Sequence, residues 1–171
     1  LTICRCSYSM GGTTGLLLVE GTFTIQRMRD KLPVLVPGDG NTLIQPDNAL
    51  NTGKMIARLA GHERAIGRVF NCARENPITH DEYMRTIGRA IGVEPEIVHV
   101  PTDIIRSIRH KDLVHCIFSL ITHSNQAVSV EAFKAEFPDF RWEHRIEDAI
   151  PPWIEFRTRL GHFKDAVLET I

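Results

Sequence analysis

This sequence has no apolar run longer than Leu16–Val19, far short of the roughly 20 residues that a membrane-spanning helix needs, so it predicts no transmembrane segment. It has no excess of either charge: 20 Lys and Arg stand against 21 Asp and Glu, a formal net charge of −1. Such a balance gives no bulk attraction to nucleic acid or to anionic lipid. Nucleic acid is therefore a poor candidate partner, and only a local basic patch stays open. The N-terminus lacks the basic-then-apolar pattern of a leader and begins at Leu1 rather than Met. The chain reads as one that starts inside something longer. No repeat or low-complexity stretch is present.

Cysteine is scarce, and Cys4, Cys6, Cys72 and Cys116 do not have the spacing of a disulfide framework. Strand alternation puts Cys4 and Cys6 on one face, but Cys4-x-Cys6 has no second pair to complete a zinc site. The expectation is no metal, and reduced structural thiols in an intracellular, cytoplasmic protein. The eight histidines are scattered, and His110 and His115 lie five apart rather than the four that puts two ligands on one helix face. Tyrosine occurs only twice, at Tyr8 and Tyr83.

At 171 residues, 43% of them hydrophobic, the chain is long enough to bury one real core. Thr2–Tyr8 reads as a strand that runs into Gly11-Gly12-Thr13-Thr14-Gly15. Phe23, Ile25 and Met28 predict a helix over 21–31, stopped by Pro33. Val34–Val36 is a short buried strand closed by the turn Pro37-Gly38-Asp39-Gly40. Asn51 is placed to cap a helix carrying Met55, Ile56 and Leu59, with Gly61 as its stop. Arg68–Cys72 is the next strand. Thr79-His80-Asp81-Glu82 is a capping box that opens a helix ending at Gly92.

Ile97–Val100 is another strand, and Pro101-Thr102-Asp103 starts a further helix. Leu113–Ile121 predicts a buried helix, Val128–Val130 a short strand, and Arg145–Leu160 a last helix interrupted by Pro151-Pro152. His99 is expected to be packed rather than catalytic, and Trp142 and Trp153 to lie in a core or an interface. Asp81, Glu82 and Asp103 read as helix-start carboxylates, not as an acid–base pair. Strands alternating with helices make the chain α/β.

Several of these segments together resemble one family. TICRCSYSMG is similar to the strand of the NAD-dependent epimerase/dehydratase family, the extended short-chain dehydrogenase/reductases, where a TIxRPxxxYGP-like segment ends near the nicotinamide. A helix ending in Arg27-Met28-Arg29, the PVLVPGDG segment, AIGRVFNCARENPITHDEY, GVEPEIVHVP and the closing FPDFRW…WIEF continue the resemblance over roughly residues 2–160. It corresponds to the C-terminal half of that family. The implied fold is therefore the last part of an extended Rossmann-type protein, one or more late sheet strands plus a small α/β substrate domain. Residues 1–161 would form the substrate-binding portion and 162–171 a frayed tail.

The same resemblance implies that the chemistry lies upstream. The family holds NAD or NADP on an N-terminal GxxGxxG and transfers protons with a Tyr-x-x-x-Lys pair. Here Tyr8 is followed four positions on by Gly12 and Tyr83 by Ile87, so neither makes that pair. GGTTGLL imitates the family's cofactor loop, but Leu18 stands where the third glycine belongs and would push the helix off the sheet. Gly11-Gly12 match the family's YGP turn better. Cys6 replaces the usual Pro after Arg5, and Gly12 the Pro of the turn. Ile44 and Gln45 stand where nucleotide-sugar enzymes commonly carry Arg-Asp, which argues against a nucleotide-diphosphate-sugar substrate.

The residues expected near substrate or cofactor are Arg5, Ser7, Tyr8, Gly11, Arg27, Arg29 and Asn51; none is assigned as catalytic. The reading is a substrate-binding portion acting on a sugar-like or hydroxyl-bearing small molecule, without a cofactor bound by this chain alone and without turnover. A homodimer is the oligomer the reading allows. Two alternatives stand beside it. One is a non-catalytic binding module, since relatives of this fold include chloroplast RNA-binding proteins; the other is an incomplete product whose exposed sheet edge invites aggregation.

Overall fold

The computed structural model describes residues 1–12, 20–107 and 124–163, and every structural statement below concerns those residues. The elements run β1 (Ile3–Cys6), β2 (Ser9–Met10), α1 (Glu20–Arg29), β3 (Val34–Pro37), β4 (Leu43–Ile44), β5 (Asp47–Asn48), α2 (Ala49–Leu59), β6 (Val69–Cys72), β7 (Ile78–Thr79), α3 (His80–Ile91), β8 (Ile97–Val100), α4 (Thr102–Ser107), α5 (Glu131–Glu136) and α6 (Ile150–Arg159), with single 3₁₀ turns at Glu63–Ala65 and Glu147–Ala149. The chain is α/β, as its alternating pattern predicts. The Leu113–Ile121 segment, His110, His115 and Cys116 lie outside the described residues.

Strands pair two by two. β1 lies parallel to β6, β2 to β5 and β3 to β8, while β4 and β7 are antiparallel. Parallel partners far apart in sequence require crossovers, and the helices supply them. Each of the two longer parallel pairs buries one face. In β3, Val34 and Val36 turn inward onto Ile25, Met28, Tyr83, Ile87 and Trp153, the core that α1, α3 and α6 close. In β6, Phe70 and Cys72 turn onto Met55 and Leu59 of α2 and Phe133 of α5. Phe133 also stacks edge-on against Phe140, with centroids 5.0 Å apart.

The helix ends show why these segments are helical. Thr79 Oγ1 accepts the Glu82 N–H at 3.1 Å, and Gly92 closes α3 in the left-handed conformation that glycine adopts without strain. Glu82 does not reach back to complete the box; its carboxylate is held by Arg89 at 2.7 Å.

Four expectations need correction. Asn48, not Asn51, caps α2: its side chain accepts the Leu50 N–H at 3.0 Å, and Asn51 sits inside the helix. Pro151-Pro152 open α6 instead of interrupting it, because the first helical positions need no N–H donor. Val128–Val130 is not a strand; the Gln45 side chain accepts the Val128 N–H at 2.7 Å and donates to the Val128 carbonyl at 3.1 Å, doing the work of a neighbouring strand. Phe163, assigned above to the frayed tail, is 6% exposed and packs against Trp153.

The other face of each long parallel pair is open. Ile3 and Val69 are register partners and are 45% and 40% exposed. Leu35 and Val98 are likewise partners and are each 38% exposed. Parallel sheets in complete α/β proteins are covered on both faces. No helix among the described residues is long and apolar enough to cross a membrane.

Candidate functional site

β1 delivers the segment Ser7–Met10 to its C-terminal end, where parallel α/β folds place their ligands. The backbone leaves the strand still bonded to its neighbours. Ser7 N donates to the Cys72 carbonyl at 3.1 Å, and Asp47 N donates to the Tyr8 carbonyl at 2.7 Å. Ser7 Oγ donates to the Gln45 carbonyl at 2.7 Å, and the Ser9 and Thr52 hydroxyls are bonded at 2.9 Å. The strand end is thus zipped to 45–52, with Ser7 and Tyr8 half-buried at its surface. Ser7 has spent its proton inward and offers a ligand only its oxygen lone pairs.

Gly11 and Gly12 follow with φ of 155° and 60°. A Cβ on Gly11 would stand 3.1 Å from Ala49 Cβ. The space beside Gly11 is therefore filled by the start of α2. The rest of the glycine loop, residues 13–19, lies outside the described residues.

Below the strand end lies a polar layer. Asn51 is 1% exposed; its Nδ2 donates to Asp47 Oδ1 at 2.8 Å and to the His144 carbonyl at 2.7 Å, and its Oδ1 accepts the His144 N–H at 3.2 Å. Asp47 Oδ1 also accepts the Asn48 N–H at 2.8 Å, while Asp47 Oδ2 is buried with no hydrogen-bond partner. Burial pushes the Asp47 carboxyl above the usual carboxylate range, against the opposing pull of its bonds from Asn51 and Asn48. A cavity of about 340 Å³ opens beside Asp47 and Asn51, bounded by Arg74, Trp142, His144 and Arg145.

The other expected residues are placed elsewhere. Arg5 is exposed on the open face of β1, beside Asn71 in register, with no ion-pair partner among the described residues. Arg27 Nε donates to the Pro33 carbonyl at 2.6 Å, fastening α1 to the turn that ends it. Arg29 lies 5.7 Å from the Phe163 ring, and burial lowers its pKa. Neither arginine contacts the strand end through any of these bonds. Cys4, Cys6 and Cys72 are free thiols on one face of the β1–β6 pair, Cys72 buried, Cys4 half-buried and Cys6 exposed, and burial pushes the Cys72 thiol up to about 12, helped by its sulfur neighbours Cys4 and Cys6. His99 is not packed: it is exposed, with Nε2 2.9 Å from Asp81 Oδ1.

Reading the sequence missed Gln45, Asp47, Arg74 and His144 as members of this layer. Only Asp47 carried a local signal, as a carboxylate next to a helix cap in a short strand. The rest meet through contacts across 29 or more positions, such as the Gln45 Nε2 bond to the Arg74 carbonyl at 2.8 Å.

No protein-family model matches the sequence, and no curated protein matches it. Solved structures do match. dTDP-glucose 4,6-dehydratase from Bacillus anthracis, in complex with NAD, aligns over 96% of this chain and 46% of its own, with a TM-score of 0.61 at 16% identity. UDP-glucuronic acid 4-epimerase from Bacillus cereus, in complex with UDP-glucuronic acid and NAD, aligns over 93% and 45%, with a TM-score of 0.64 at 10% identity. GDP-L-fucose synthetase from Naegleria fowleri aligns over 92% and 46%, with a TM-score of 0.63 at 14% identity. The chain thus has the fold of part of an extended short-chain dehydrogenase/reductase of the epimerase/dehydratase type, and it spans less than half the length of these structures.

Proposed function

We propose that residues 1–161 are the C-terminal, substrate-binding portion of an NAD(P)-dependent epimerase/dehydratase-like oxidoreductase acting on a sugar-like or other hydroxyl-bearing small molecule. The observation that carries this reading is the half-covered β1–β6 pair. β1 bonds only β6 among the described residues, leaving its other edge free, and the exposed Ile3–Val69 partners put apolar surface on its outer face beside Arg5 and Asn71. A parallel strand pair in that condition needs a further strand and a covering layer. An upstream cofactor-binding half supplies both.

In that assembly the nicotinamide would provide hydride acceptance and return, and the upstream Tyr and Lys the proton transfers. This chain would contribute orientation. Arg5, unpaired on the open face, suits an anionic or carbonyl group. Ser7 and Tyr8, at the end of the strand, present oxygen acceptors to substrate hydroxyls. The protein would work in the cytoplasm, alone or as a homodimer.

The test joins this chain to the segment encoded directly upstream of Leu1. The expected result is NAD(P)H binding by the joined protein, read by fluorescence, and none by residues 1–171 alone. An upstream segment without GxxGxxG and Tyr-x-x-x-Lys would overturn the reading, as would tight NADH binding by the isolated chain. A salt-dependent shift of RNA oligonucleotides would favour the binding-module alternative.

A further inference from the structure

The cavity beside Asp47 and Asn51 contains two charged groups whose bonding is incomplete. Asp47 is 2% exposed; its Oδ1 accepts from Asn48 N and Asn51 Nδ2, both at 2.8 Å, while Oδ2 is buried and accepts from nothing. A buried carboxylate oxygen without a donor is costly, and it is already stripped of water. A donor that reaches it therefore incurs no further desolvation of the carboxyl.

Arg74 is the complementary group. Among the described residues its guanidinium makes no hydrogen bond and no ion pair within 4 Å, its charge acting on Asp47 without direct contact, whereas the neighbouring Arg89 is held by Glu82 at 2.7 Å and Glu147 at 3.5 Å. Its planar fork matches a carboxylate with two parallel bonds. Trp142 forms an apolar wall, because its Nε1 proton is committed to the Ala73 carbonyl at 2.9 Å. Asn51 cannot turn to a ligand either, since both its Nδ2 bonds and its Oδ1 bond hold Asp47 and His144. At about 340 Å³ the cavity takes a molecule of roughly ten heavy atoms or fewer.

We propose that this cavity binds a small carboxylic acid bearing a hydrogen-bond donor, a hydroxyl or an ammonium group, with its carboxylate on Arg74 and its donor on Asp47 Oδ2. The site needs neither a cofactor nor a second polypeptide, so it stands apart from the oxidoreductase reading and fails separately from it.

The experiment titrates this chain with glycerate, alanine and propionate, which carry a hydroxyl, an ammonium and no donor, and follows backbone amide shifts by NMR. Glycerate or alanine should move the amides of Asp47, Asn51 and His144 and bind roughly tenfold tighter than propionate. Which of the two binds identifies the donor. Arg74→Gln, at a half-exposed residue, should abolish binding by all three while leaving the thermal melt unchanged. Asp47→Asn should remove the preference over propionate. The proposal is overturned if none of the three shifts these amides, if propionate binds as well as the others, or if Arg74→Gln binds undiminished. Because Arg74 is half-exposed and its side chain makes no hydrogen bond among the described residues, the outcome does not hinge on whether Asp47→Asn folds.

Discussion

Lowering the pH from about 7 to about 5 should cost this fold about 2 kcal/mol through His80 alone. His80 is the first residue of α3, is 4% exposed, and its backbone N–H donates to the Thr42 carbonyl at 3.0 Å. Burial lowers the imidazole from 6.5 to about 4, with the neighbouring Asp81 pulling weakly the other way. A cation at a helix N-terminus is also opposed by the helix dipole. Since the folded-state pKa lies below the unfolded one, the neutral ring stabilises the fold fully above about 6.5. That contribution is lost as the pH falls towards about 4.

Integrating the one-proton linkage over this window gives a total of about 3 kcal/mol, most of it gone by about pH 5. The measurement is urea denaturation of the protein and of His80→Gln across this pH range. Other histidines and the carboxylates titrate in both proteins, so the difference between the two curves isolates His80. Stability should fall more steeply with acid in the parent. If the two curves run parallel, or if the His80 ring titrates near 6.5 by NMR, the reasoning is wrong.

Thr79→Ala should cost about 1 kcal/mol in chemical denaturation by removing the α3 cap, and Thr79→Ser should restore most of it. Gly40→Ala should destabilise by at least about 1 kcal/mol: Gly40 has φ 76°, and a Cβ there would stand 2.6 Å from His99 Nε2 and would collide with Asp81 Oδ1, breaking the Asp81–His99 contact. Loss of the His99–Asp81 contact should appear in the His99 ring shifts. Phe133→Ala should cost about 3–5 kcal/mol, because Phe133 is fully buried at the centre of the α2–α5–β6 core. Thiol titration of the native protein should label exposed Cys6 well before Cys72, whose buried thiol is raised to about 12 and reacts only on unfolding.

The features that local chemistry controls were legible in the sequence. The Thr79 cap and the Gly92 stop define α3 from within four residues of each end, and Pro33 and the Pro37–Gly40 turn isolate β3 between them. Hydrophobic spacing placed α1 and α2, and the cumulative match of short segments pointed to the fold that the solved structures share. What the sequence could not decide is which of two equivalent local signals operates. Asn48 and Asn51 both suit a cap; the pairing of β5 with β2 holds Asp47–Asn48 extended, so the helix begins at Ala49 and Asn51 is turned inward. Val128–Val130 has strand composition, but its backbone bonds are shared out: Val128 pairs with the Gln45 amide 83 positions away, the Ser129 carbonyl takes the Asn71 amide, and the Val130 carbonyl takes the Phe133 and Lys134 N–H groups at the start of α5.

The polar layer illustrates the same division at the candidate site. Residue type and strand order put Ser7 and Tyr8 at a strand end, and neither Tyr8 nor Tyr83 is followed four positions on by a lysine. Only tertiary structure brought Asp47, Arg74 and His144 around one cavity, because their contacts span the whole chain and depend on the crossovers between parallel strands. Local hydrogen bonding is written in nearest neighbours; a buried oxygen without a donor is the residue of many distant packing choices made together.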